Sequence, residues 1–100
     1  MVSTNRQRAS RKLRQQLRLT TQSHKAVFVR WVDPSSYSPW HAIADCEKRE
    51  PMGQWSVGWL VVDNPDRVTI ALTLADDRDC VSDIIVLPRG CVQEIVEVKV

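Results

Sequence analysis

The residues best equipped for chemistry lie at the start of the chain. Arg6, Arg8, Arg11, Lys12, Arg14, Arg18 and Lys25 are seven cations within 25 residues that contain no carboxylate. Cations at that density neutralise phosphates and release their counterions, giving sequence-independent, salt-sensitive contact with nucleic acid. Two plainer readings stand beside it: a solubilising tail, and a helix packed on the protein's own body. Residues 26–100 carry seven cations against twelve acids, so a +7 arm precedes a −5 body and the net charge is +2. An acidic body is a poor phosphate platform, which leaves the arm as the candidate contact, with Arg6, Arg8, Arg11, Lys12, Arg14 and Arg18 as its nucleic-acid-binding residues.

The second group is aromatic. Four tryptophans in 100 residues is a high count. Trp31, Trp55 and Trp59 fall in alternating segments and read as core, each burying a large area with its indole N–H on a carbonyl. Trp40 falls outside any such segment. With His41 and Tyr37 it forms the candidate partner-binding group, either an exposed anchor or ordinary surface.

Other constellations carry less. Asp76, Asp77, Asp79 and Asp83 form an acidic loop, but no glycine sits at the bend a calcium loop needs and no glutamate closes it. Asp45, Glu47 and Glu50 have no partner that would make acid–base catalysts of them. Cys46, Cys80 and Cys91 are an odd number without metal-ligand spacing, His24 and His41 are isolated, and the cysteines read as reduced thiols, with Cys91 in the core. No nucleophile–base motif and no phosphate-cradling glycine-rich loop is present. The expectation is a non-enzyme with no catalytic residue, no cofactor and no metal.

The elements that must position these groups follow from periodicity. In the arm, Ala9, Leu13 and Leu17 recur every four residues, so 8–19 can form a short amphipathic helix, too short to persist alone. From position 26 the period becomes two. Strands are expected at 26–33, 54–63, 67–75, 82–87 and 91–100, with Trp55, Val57, Trp59 and Val61 sharing one face and Val68, Ile70, Leu72 and Leu74 another. Turns fall at Asp33-Pro34, Asn64-Pro65-Asp66 and Pro88-Arg89-Gly90. Gly58 reads as a bend and Gly90 as a turn position with positive φ. Residues 37–51 read as either a helical turn or an irregular loop. The expected fold is mainly β: a small five-stranded antiparallel SH3-like barrel (26–100) with a basic N-terminal arm or short helix (1–25), the barrel removing exposed strand edges. The break at 88–90 is expected to be the 3₁₀ corner between the last two strands.

The segments WVD at 31–33, Trp40, SVGWLV at 56–61, and LPRGCV at 87–92 followed by EIVEV resemble a family of short proteins encoded by tailed bacteriophages and prophages. The resemblance covers roughly residues 27–98 and excludes the arm. It implies a phage origin and a β-barrel-like body, and it implies no chemistry. Three functions follow as expectations. The first is an interaction module that binds a host or phage protein and modulates it. The second is a nucleic-acid-binding accessory or regulator acting through residues 1–25. The third is an oligomeric structural or virion accessory. No apolar run approaches the ~20 residues of a membrane helix, and no apolar stretch follows the basic start as in a secretory signal. The expected location is the cytoplasm of the bacterial host, with no membrane contact; the sequence leaves the oligomeric state open.

Overall fold

Alternation from position 26 onward produces five strands. The computed structural model describes the backbone of residues 4–100 and the side chains of residues 10–100. The strands are β1 (Ala26–Asp33), β2 (Met52–Asp63), β3 (Arg67–Leu74), β4 (Val81–Pro88) and β5 (Val92–Glu97), preceded by helix α1 (Thr4–Ser23) and interrupted by one helical turn, α2 (Ile43–Cys46). They form one antiparallel sheet in the order β4-β3-β2-β1-β5.

The long strand β2 explains how this sheet acquires a core. Its first part, Met52 to Trp59, pairs with β1, and its last part, Trp59 to Asp63, pairs with β3. Trp59 alone is paired on both sides, opposite Ala26 and Ala71. A register shift between Leu60 and Val62 adds a bulge just beyond it, and bulges bend the strand that carries them. The sheet therefore folds over at Gly58–Trp59–Leu60, and the inner faces of its two halves meet. Val27 and Val29 from one half pack with Val68, Ile70 and Leu87 from the other, with Trp31, Leu60, Ile85, Val92 and Ile95 around them. The Trp31 indole donates to Ser56 Oγ at 3.0 Å.

The far end is drawn in by a turn. A 3₁₀ turn, Arg89–Cys91, connects β4 to β5, as the sequence predicts. Those strands are the two edges of the sheet. In a flat five-stranded sheet the edges would lie about 19 Å apart, while a three-residue 3₁₀ turn advances about 6 Å. Curvature is thus obligatory. Arg89 anchors the corner: its backbone N–H donates to the Asp66 carbonyl at 3.0 Å, its Nε donates to the Asn64 carbonyl at 3.0 Å, and its guanidinium pairs with Asp63. Asn64 Oδ1 in turn accepts from the N–H groups of Asp66 and Arg67, both at 2.9 Å, closing the β2–β3 turn.

Several expectations are corrected. The sheet is open: no ladder joins β4 to β5, because β5 leaves the corner paired with β1 alone, so the closed SH3-like barrel gives way to a folded-over sheet. Trp55, Val57 and Val61 do share a face, but it is the outer one, and Trp55 is 60% exposed. The inner positions of this part of β2 are Ser56 and Gly58, small enough for the fold-over. Leu72 is 69% exposed, since β2 has diverged from β3 beyond the Trp59–Ala71 pair. Cys91 is half-buried at the corner, outside the core. Gly90 has no positive φ and open space around it.

α1 is longer than the predicted 8–19. Arg, Lys, Leu, Gln and Ala favour helix throughout, although no acid lies in the first turn to complement the dipole. Hydroxyls close it: Thr20 donates to the Gln16 carbonyl, Thr21 to that of Arg18 and Ser23 to that of Thr20. Only its later half approaches the sheet, where Leu13, Gln16, Leu17 and Thr20 face Trp59, Leu74 and Arg78 across an open groove. The radius of gyration is 19.0 Å, against about 13 Å for a compact domain of this length, because a helix about 30 Å long runs off the sheet.

The two glycines should separate sharply under substitution. A Cβ at Gly58 would lie 2.6 Å from the Ala71 carbonyl oxygen, whereas one at Gly90 meets nothing within 4 Å. Gly58→Ala is expected to cost about 1–3 kcal/mol in urea unfolding through overpacking; Gly90→Ala is expected to stay within about 0.5 kcal/mol of the parent. Arg89→Ala is expected to cost about 1–3 kcal/mol in the same assay, with Arg89→Lys restoring only part, since a lysine lacks the planar fork.

Candidate functional site

The loop between β1 and β2 is the most exposed part of the sheet-forming segment. It spans 34–51, and its ends are held together by the Asp33–Met52 pair of the ladder. Every residue in it is exposed. Internal bonds give it shape: in and after α2, the N–H groups of Asp45, Lys48 and Arg49 donate to the carbonyls of Ala42, Asp45 and Cys46. The Arg49 guanidinium lies 4.3 Å from the centroid of the Tyr37 ring, and His41 meets that ring edge-on at 6.4 Å between centroids.

These contacts divide the predicted partner-binding residues. Tyr37 and His41 are brought together and form, with Arg49, the internal brace of the loop. Trp40 stands apart from them at 97% exposure, and Ile43, on the first turn of α2, is 88% exposed. A tryptophan and an isoleucine presented to water on one braced loop are the side chains suited to filling pockets on a partner. Sequence reasoning missed Ile43 and Arg49. The signal available was an isolated branched aliphatic inside an otherwise polar loop.

An apolar strip on the outer face of the sheet adjoins the loop. Trp55, Val57, Phe28 and Val96 are all exposed. The register sets Val57, Phe28 and Val96 in one row across β2, β1 and β5. The Arg30 guanidinium sits 5.4 Å from the Trp55 ring centroid and reaches over Gly53, where a Cβ would collide with it.

The predicted nucleic-acid-binding residues occupy α1. Arg11, Lys12, Arg14 and Arg18 are exposed on it; the side chains of Arg6 and Arg8 lie outside the described residues. Among the described residues the only ion pair is Arg89–Asp63, so no carboxylate neutralises the described cations of the helix. Cys46 and Cys80 are exposed free thiols. Among the described residues no three His, Cys, Asp or Glu side chains gather into a metal-binding group, and no helix is long and apolar enough to cross a membrane.

The chain matches no family model, no curated protein and no solved structure.

The exposure of Trp40 predicts its spectroscopy. Acrylamide is expected to quench Trp40 freely and the half-buried, hydrogen-bonded Trp31 weakly, so Trp40→Ala should remove the most quenchable component. The same variant should leave stability within about 0.5 kcal/mol of the parent, as surface substitutions do.

Proposed function

We propose that this chain is a non-enzymatic, phage-encoded interaction module that binds a host or phage protein in the bacterial cytoplasm and modulates it by occlusion. The observation that carries the reading is Trp40, 97% exposed on a loop that holds its own shape. Leaving an indole in water has a free-energy cost of about 1.5–3 kcal/mol relative to burying a side chain of that size. A loop braced by Tyr37, His41 and Arg49 presents it with little ordering entropy left to lose on binding. Ile43, 88% exposed, lies in the same loop, and Trp55, 60% exposed, lies on the strand that follows it.

We take the body as a relative of the SH3-like small barrels; the strand order β4-β3-β2-β1-β5 and the 3₁₀ turn before β5 support it. In that reading the 34–51 loop is the long loop between the first two strands, a natural place for recognition residues on a rigid scaffold.

The test is comparative capture. Immobilised parent chain and Trp40→Ala are passed through the same bacterial lysate, and the protein retained by the parent is then purified and titrated against both. The expected result is one stoichiometric partner, bound at least ~30-fold more weakly by Trp40→Ala, the loss typical of an aromatic anchor. Equal retention by both baits would overturn the reading. Retention of the chain's own copies alone would replace it with the oligomeric accessory, for which the exposed row Val57, Phe28 and Val96 would be the contact.

A further inference from the structure

We propose that α1 is a nucleic-acid-binding helix that inserts an arginine and glutamine stripe into a duplex groove, separately from the Trp40 loop. Helical geometry sorts the faces of α1. At about 100° per residue, Arg11, Arg14, Gln15, Arg18 and Gln22 fall within an arc of about 100° on one side of α1. Arginine and glutamine are the only residue types in that set. Leu13, Gln16, Leu17 and Thr20, which face the sheet, centre on nearly the opposite side. The stripe is therefore turned off the sheet at Arg11, Arg14 and Gln15, with Arg18 and Gln22 nearest the body at its end, and all five of its side chains are exposed.

The chemistry of that set is specific. Arginine bridges phosphates, and it also donates two parallel hydrogen bonds to the guanine edge; the glutamine amide pairs with the adenine edge. A plain solubilising helix would mix both signs of charge, and a helix meant for an acidic protein surface would do as well with lysine. α1 contains no acid at all. Its stripe cations have no carboxylate partner among the described residues. At its end Arg18 and Gln22 border a hollow shared with Lys25 and Lys99, against one acid, Glu97. The body, at −5, is repelled by a polyanion, which favours contact along the earlier half of α1, the part that runs off the sheet. A helix with side chains is about 10–12 Å across, and the major groove of a DNA duplex is about 12 Å wide.

The experiment is fluorescence anisotropy of the full chain with a labelled 20-base-pair DNA duplex in one arm and a labelled RNA hairpin in the other. Four phosphate contacts, from the three stripe arginines and the adjoining Lys25, predict a slope of about −3.6 in log K against log salt, roughly a hundred-fold loss between 50 and 200 mM. Arg11→Gln/Arg14→Gln/Arg18→Gln should flatten the slope to about −1 and weaken binding at least ~10-fold, with helicity by circular dichroism unchanged. The triple lysine variant should keep the slope. Binding in the DNA arm with this pattern supports the proposal; binding confined to the RNA hairpin, whose A-form major groove is too narrow to admit a helix, would overturn it. No binding at about 50 mM salt, binding indifferent to the glutamine variant, or displacement by poly-glutamate as readily as by unlabelled duplex would overturn it. Trp40→Ala serves as a control that should bind nucleic acid like the parent.

Discussion

Two strands that lie at opposite edges of one sheet are joined by three residues, and the remaining architecture accommodates that constraint. β4 and β5 can be reached from each other through Arg89–Cys91 only if the sheet rolls over. The roll is placed by β2, which changes partner at Trp59 and carries a bulge one step later. Gly58 permits the approach, because its neighbour across the fold is a backbone carbonyl that would not yield to a methyl group. Arg89 then ties the corner to the β2–β3 turn through Asn64, Asp66 and Asp63. The five buried aliphatic side chains of the core are what this roll encloses. A core so small cannot cover both faces of five strands, and the outer face is left wet, in keeping with the limited burial open to a chain of this size.

That division explains what was legible in the sequence. Period-two alternation identifies all five strands to within a few residues, and the Pro88-Arg89-Gly90 break marks the 3₁₀ corner. Alternation does not say which face is inside. On β2 the larger residues, Trp55, Val57 and Val61, look like the core set, yet the inner set is Ser56, Gly58 and Leu60. The cause is curvature: the concave side of a sharp bend has room for small residues, and the convex side carries the bulk. Size ranks a face correctly in a flat sheet and misleads in a folded one. Trp31 is the case where size and position agree, since it lies on β1, away from the bend, and its indole reaches Ser56.

The candidate surfaces were legible to different degrees. Trp40 was identifiable because it lies outside any alternating segment, and its exposure agrees with that position. The roles of Tyr37 and His41 were not, since a brace depends on the distant Arg49 returning to the ring. The basic arm announces itself by composition. Its helical extent did not, because hydroxyl side chains at Thr20, Thr21 and Ser23 carry the helix past the last leucine by bonding to carbonyls of its final turns.

Only His24 and Lys25 separate α1 from β1. The Lys25 carbonyl accepts from the Leu60 N–H at 2.8 Å, and Arg78 reaches Thr20 Oγ1 at 3.4 Å. One bond continues the β1–β2 ladder to Lys25, and the other links the last turns of the helix to the β3–β4 loop, which sets the bearing at which the helix leaves the sheet. Anything grasped along the helix is brought near the sheet that carries the 34–51 loop. A ligand assembly long enough to span both would gain avidity through high effective concentration, and one of the wrong length would gain none.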